Sequence, residues 1–277
     1  MSSFEIASLM NQQDAIVPRA IKRVLPQVAL AIELVTQQLA RGGRLIYAGT
    51  GTSGRIGALD AAEIPPTFGT KPGMTQFVMA GGESALARAT EASEDNRDLG
   101  RLDMAARKPR KSDVIVGIAA SGRTPYTIGA LEYAREKGAA TVAVVCNHGS
   151  ELARIAQVAI EVDVGPEVLT GSTRLKAGTA EKLICNMLST GAMARLGYVH
   201  GNLMVNLRAK NKKLLERGIS IVTQVAKVDR ETAVRTLRSA HMRVPLALVM
   251  LKAKVSKTEA TRRLEKSRGI VRKALKS

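Results

Sequence analysis

Tryptophan is absent from this 277-residue chain, and only three phenylalanines and four tyrosines are present. Residues 207–277 hold none of these, which disfavours that segment as one that grips nucleic acid by stacking bases on aromatic rings. Cysteine is nearly absent too, and the two present, Cys146 and Cys185, sit in apolar surroundings. They read as reduced core thiols rather than a disulfide framework. The three histidines, His148, His200 and His241, are scattered and offer neither a zinc spacing nor a nucleophilic triad. No apolar run approaches the roughly 20 residues that span a bilayer. The opening MSSFEIASLMNQQ lacks the basic start and apolar stretch of a secretory signal. Missing as well is the lysine-bearing loop G-x-x-x-x-G-K-[ST] of the ATP-binding proteins. Together these absences predict a cytoplasmic protein with no membrane span, no metal and no nucleotide cofactor.

Positive charge is abundant but uneven. The chain carries a net +18. Residues 207–277 hold 20 Lys and Arg against 5 Asp and Glu, a net +15, which leaves +3 for the rest. A basic end raises nucleic acid as a partner. The charges alternate with Ala, Leu, Val and Ile at helical spacing, however, and no aromatic residue interrupts them. A solvated helical surface is the favoured reading, with nucleic acid unlikely.

The organising stretch is Arg44 to Gly69, RLIYAGTGTSGRIGALDAAEIPPTFG. An apolar strand at 45–48 enters a loop of Gly49, Thr50, Gly51, Thr52, Ser53 and Gly54. A helix then starts near Thr52, and Pro65-Pro66 is expected to stop it. Before this unit, a helix is expected over 15–39, disturbed at Pro18 and Pro26. After it come strands at 75–79, 113–118, 141–145 and 159–162. Helices are expected near 83–89, 95–106, 125–137, 150–156 and 176–196. Strands alternating with helices at this spacing predict an α/β fold, a doubly wound parallel sheet. After Gly197 the pattern becomes helical, with helix starts at Asp229 and Ser256. Two domains are expected, an α/β domain over 1–221 and a small basic helical domain over 222–277.

Three strand-to-helix junctions are rich in small and hydroxyl residues: Thr52-Ser53-Gly54, Ser121-Gly122-Arg123-Thr124, and Ser172-Thr173. Free N–H groups and hydroxyls at a helix start are what a phosphate ester needs. One such junction is an ordinary helix cap; three in one sheet favour a phosphorylated ligand. Gly49 to Gly54 fits G-x-G-x-x-G, but no acidic residue ends the second strand, so a dinucleotide is disfavoured. Thr124 precedes Pro125 as a helix cap. Glu63, ahead of the Pro-Pro pair, is a candidate acid or base. Glu94 belongs to an acidic cluster with Glu91 and Asp95. Two carboxylates in one pocket can divide acid and base work. Lys176 reads either as neutralising a ligand charge or as a first-turn lysine in solvent.

The segments GTGTSGRIGALDAAEIPPTFG, VGIAASGRTPYTIGALEYA and LTGSTRLKAGTAEKLICNMLSTGAM together resemble the N-acetylmuramic acid 6-phosphate etherase family. The resemblance runs from about Asp14 to the C-terminus. It implies a sugar isomerase (SIS) type α/β domain, related to the glucokinase regulatory protein, with a helical end domain of ubiquitin-associated type. It also implies cleavage of the lactyl ether of N-acetylmuramic acid 6-phosphate to N-acetylglucosamine 6-phosphate and D-lactate, during cell-wall sugar recycling. The implied route is elimination from the open-chain sugar followed by hydration, with no metal or nucleotide. By this resemblance Glu63 matches the family's proton donor and Glu94 its second active-site glutamate. Thr52, Ser53, Gly54, Ser121, Gly122, Thr124, Ser172, Thr173 and Lys176 fall to the sugar phosphate, and a homodimer is expected. The family usually carries an N-terminal extension rich in Thr, Glu and Asn, and this chain begins too late to contain it. The residues leave open a non-catalytic sugar-phosphate sensor, a sugar-phosphate isomerase and a basic nucleic-acid-binding regulator.

Overall fold

The computed structural model describes residues 1–88, 93–206 and 212–276. Five short strands are present: β1 (Leu45–Gly49), β2 (Thr75–Met79), β3 (Val114–Ile118), β4 (Ala140–Val145) and β5 (Val158–Glu161). They form one sheet in the order β2-β1-β3-β4-β5, and every neighbouring pair is parallel. β1, β3 and β4 are buried at every residue. That is why they read as unbroken apolar runs rather than alternating ones. The order turns back between β1 and β3. In open α/β sheets a crevice forms at such a reversal, beyond the carboxyl ends of the two strands.

Three helices precede the sheet: α1 (Ser3–Asp14), α2 (Ile16–Arg23) and α3 (Leu25–Ala40). The single helix expected over 15–39 is thus divided at Val24, and Pro26 stands in the first turn of α3, where its missing N–H costs nothing. α4 (Gly51–Phe68) follows β1. A 3-10 turn at Gly82–Leu86 stands where a helix over 83–89 was expected. Then come α5 (Arg97–Ala106), α6 (Pro125–Glu136), α7 (Glu151–Ile155) and α8 (Lys176–Leu196).

The expected end of α4 at Pro65-Pro66 is corrected: both prolines lie inside the helix. A proline at 65 cannot donate to the carbonyl of Ala61, four residues back. The Thr75 hydroxyl takes that bond instead, at 3.0 Å to Ala61 O. The orphaned acceptor is therefore satisfied from β2, and Gly69 N–H still reaches Pro65 O at 2.9 Å.

The chain divides into two compact units. The first comprises 1–62 and 72–192, and the second 63–71 and 193–277; sequence had placed the division at 222. The second unit holds α9 (Lys212–Ala226), α10 (Arg230–Ser239), α11 (Val244–Ala253), α12 (Lys257–Lys266) and α13 (Val271–Ala274). It has its own core, with Val222, Leu237, Leu246, Leu248 and Leu264 at its centre. Asp229 and Ser256 cap α10 and α12 through the N–H groups of Thr232 and Glu259, as their spacing predicts. Cys185 is buried, Cys146 half-buried, and both are free thiols. No described helix is long and apolar enough to cross a membrane.

Candidate active site

The β1–α4 and β3–α6 junctions stand at the two strand ends that flank the reversal. β1 ends at Gly49, and α4 begins two residues later through Gly51, whose φ is +51°. This is the left-handed region that a side chain makes costly. The Gly54 N–H bonds Thr50 O at 2.9 Å. For the N–H groups of Gly51, Thr52 and Ser53 the described residues supply no acceptor. The first turn of α4 is open to an anion in the way its composition predicts.

At the β3–α6 junction Gly122 turns the chain with a φ of +64°. A Cβ there would stand 2.2 Å from Ser150 Oγ, so no other residue fits. Ser121 Oγ accepts the Arg123 N–H at 3.2 Å, which leaves its own proton to give away. Thr124 is the N-cap residue of α6, as expected, but its hydroxyl makes no capping bond.

Glu94 is brought to both junctions. Its carbonyl accepts the Tyr126 N–H at 3.1 Å, in the first turn of α6. Its carboxylate oxygen Oε1 lies 3.1 Å from where a Cβ on Gly51 would stand. The segment is held there by α5, which begins three residues later and is capped by Asn96. α5 meets α6 backbone to backbone: a Cβ on Gly100 would fall 2.0 Å from Tyr126 O, and one on Gly129 2.0 Å from Arg97 O. Arg97 and Arg101 of α5 then pair with Glu132 and Glu136 of α6, and Tyr126 donates to Asp103 at 2.6 Å. Of its acidic neighbours, Asp95 is exposed and Glu91 lies outside the described residues.

The third junction differs from its sequence reading. Glu167 occupies the start of α8, its two oxygens accepting the N–H groups of Lys176 and Ala177 at 3.0 Å each. An internal carboxylate thus sits where a ligand anion was expected. Ser172 and Thr173 stand in the turn just before, half-buried and exposed respectively. Gly178, one turn into α8, packs on Thr52, whose methyl would be 3.3 Å from an added Cβ. Lys176 is buried, at 2% exposure, and its ammonium donates to Gln13 Oε1 at 2.9 Å. It is neither a solvent lysine nor one left free to meet a ligand.

Ser53 also has an internal partner that sequence reading missed. Its hydroxyl donates to Glu181 Oε1 at 2.9 Å. Glu181 is fully buried, and burial pushes its carboxyl up to about 8, with the Ser53 hydroxyl opposing. A signal was present: Glu181 falls on the buried stripe of α8 with Ala177, Ile184 and Leu188, where an acid is out of place. One step along the same two helices, Asp60 of α4 accepts from Ser189 at 3.0 Å and from Tyr47 at 2.6 Å. Burial raises its carboxyl as well.

Glu63 belongs to the second unit. It is exposed, and its carboxylate has no hydrogen-bond partner among the described residues. Among the described residues no group of three His, Cys, Asp or Glu side chains is placed to hold a metal ion.

The architecture is that of a SIS-type domain. The glucokinase regulatory protein N-terminal SIS domain matches residues 27–135, and the SIS domain matches residues 100–190. The phosphoheptose isomerase of Francisella tularensis superposes with a TM-score of 0.54 at 17% identity, over 70% of this chain and all of that one. That of Neisseria gonorrhoeae gives 0.51 at 20%, over 69% and 97%. At such identities the likeness is one of fold. Sequence relatives go further. The N-acetylmuramic acid 6-phosphate etherase of Clostridium beijerinckii is 48% identical over 99% of this chain and 90% of its own length. That of Mycolicibacterium smegmatis is 51% identical over 98% and 91%. The chain belongs to the N-acetylmuramic acid 6-phosphate etherase family.

Proposed function

We propose that this chain cleaves the D-lactyl ether of N-acetylmuramic acid 6-phosphate, releasing N-acetylglucosamine 6-phosphate and D-lactate with consumption of one water. Near-complete coverage by relatives of that name supports the reaction class. The observation that carries the site is the Glu94 carboxylate, held against the open first turn of α4 and tied by its backbone to α6.

The 6-phosphate docks on the N–H groups and hydroxyls of Thr52, Ser53 and Gly54, and on Ser121, Gly122 and Thr124. Ser172 and Thr173 complete its surroundings. With the ring opened, the proton on carbon 2 is acidified by the neighbouring aldehyde. Glu94 removes it, and the lactyl oxygen leaves carbon 3 with a proton from Glu63. Water then adds to the unsaturated aldehyde, and the ring closes. Carboxylates can carry both transfers when their surroundings separate their proton affinities. The chemistry asks for no cofactor. The enzyme works in the cytoplasm as a homodimer.

Incubation with the substrate and assay of D-lactate tests this directly. Release by the wild type, its loss in Glu94→Gln and in Glu63→Gln, and retained product binding in both are expected. Full activity in either variant removes that glutamate from the mechanism. No lactate from the wild type, with saturable product binding, makes the protein a sensor.

A further inference from the structure

We infer that Glu181 is a positioning residue whose proton sets the direction of the Ser53 hydroxyl, so that phosphate binding is coupled to proton uptake. The inference rests on the reading that Ser53 faces the phosphate. It starts from the 2.9 Å bond between Ser53 Oγ and Glu181 Oε1 and from the other oxygen of the same carboxyl. Glu181 Oε2 is buried with no partner. An ionised carboxylate with one oxygen sealed from water and unpaired is expensive. A neutral carboxyl at the same place is not. Burial accordingly pushes the group up to about 8, so it carries its proton at neutral pH.

A serine hydroxyl has one proton to give and two lone pairs. Beside an ionised Glu181 that proton points inward, and Ser53 offers a phosphate only repulsive lone pairs. Beside the neutral acid the roles reverse. The carboxyl O–H donates to Ser53 Oγ, and the serine proton is free to point outward at a phosphate oxygen. The balance is simple: at alkaline pH one proton passes from solvent to Glu181 for each phosphate bound, and near neutrality none does. An ionised Glu181 behind the loop also repels the dianion.

The groups facing Glu181 do not duplicate this behaviour. Cys185, one turn along α8, and Cys146, after β4, are both pushed far up by burial, with Glu181 adding to each. Asp60 of α4 is bound to Tyr47 and Ser189. Glu167 is bound to the start of α8, and Asp163 accepts from Gly165. The two lysines of α8 are engaged elsewhere. Lys176 donates to Gln13, and Lys182 donates to the Asn186 amide oxygen at 2.9 Å, the amide nitrogen donating to Asp60.

The test is calorimetric titration with N-acetylglucosamine 6-phosphate in buffers of different ionisation enthalpy. Wild type, Glu181→Gln and Ser53→Ala are compared at about pH 7 and about pH 9, where the phosphate (second pKa about 6) is a dianion throughout. Wild-type affinity should fall about tenfold between the two, with uptake of nearly one proton at the higher pH. Glu181→Gln, whose amide N–H donates to Ser53 as the neutral acid does, should bind equally at both and take up none. Ser53→Ala should bind more weakly at both and take up less than the wild type at the higher pH, only the share owed to repulsion by an ionised Glu181, which keeps the test alive should the Gln variant not fold. Equal wild-type affinity at both pH values, uptake that persists in Glu181→Gln, or uptake undiminished in Ser53→Ala overturns the inference. No binding by the wild type at neutral pH overturns the phosphate-loop reading itself and this inference with it.

Discussion

Glu94 Oε1 and the Cα of Gly51 stand so close that a methyl group on Gly51 would lie 3.1 Å from the carboxylate. The glycine is required twice, for its φ of +51° and for the room it leaves. Gly51→Ala should cost about 1 kcal/mol of stability through the left-handed backbone, a loss of a few degrees in melting temperature. Its effect on catalysis should be larger, because the displaced carboxylate no longer meets the carbon 2 proton at bonding distance. A fall in kcat of roughly tenfold or more is expected from D-lactate release. Wild-type kcat in a folded Gly51→Ala protein would detach Glu94 from proton abstraction.

Ser121 accepts the Arg123 N–H through Oγ, so its remaining capacity is that of a donor, suited to a phosphate oxygen. The phosphate is bound equally in ground and transition states. Ser121→Ala should therefore raise KM about tenfold with kcat little changed. Equal falls in kcat and kcat/KM would instead place Ser121 at the reacting centre.

Most of the architecture was legible because it is local. The unbroken apolar runs of β1, β3 and β4, the Pro125 start of α6 and the caps at Asp229 and Ser256 follow from residues within a few positions of each other. The β1–α4 and β3–α6 loops were legible as strand-to-helix junctions for the same reason. What escaped depends on distant partners. Helix α4 passes through Pro65 because the Thr75 hydroxyl, on another element, covers the Ala61 carbonyl. Lys176 is internal because Gln13 meets it from α1. Ser53 and Glu181 are 128 positions apart, and no periodicity links them. Glu167 was invisible as the cap of α8, since it stands nine positions before Lys176.

Asp113 anchors the opposite ends of the strands from the site. Its buried carboxylate takes the Arg44 guanidinium at 2.6 Å and the N–H groups of Arg44 and Arg110 at 2.9 Å each. Burial pushes this carboxyl up, but the bonds from Arg44 and Arg110 outweigh it and hold it below its ordinary value. A depressed acid stabilises the fold above its unfolded pKa of about 3.9, and that contribution fades as pH drops through the folded value. Asp113→Asn should cost about 3 kcal/mol at neutral pH, measured by urea unfolding. The gap to wild type should narrow as pH falls below about 3.9 and through the depressed folded value, where the wild-type carboxyl takes up its proton. A gap independent of pH would mean the loss is one of packing.

Glu181 has the opposite sign, and it can be tested without substrate. Its folded carboxyl titrates near 8, above the ordinary glutamate value of about 4.3. Between these two points the folded state holds a proton that the unfolded chain has released. Stability therefore falls as pH rises through this window, by up to about 1.4 kcal/mol per unit, and levels off above it. Glu181→Gln keeps the shape and the donor toward Ser53 but removes the titration. Other ionisable groups, Asp60 included, cancel in the comparison of variant with wild type to the extent that they are independent of the site. Thermal unfolding across pH 5 to 9 should show the variant level with wild type at the acid end and several degrees more stable at the alkaline end. A variant that lost stability equally at every pH would show that the carboxyl serves as a packed polar group and carries no buried proton.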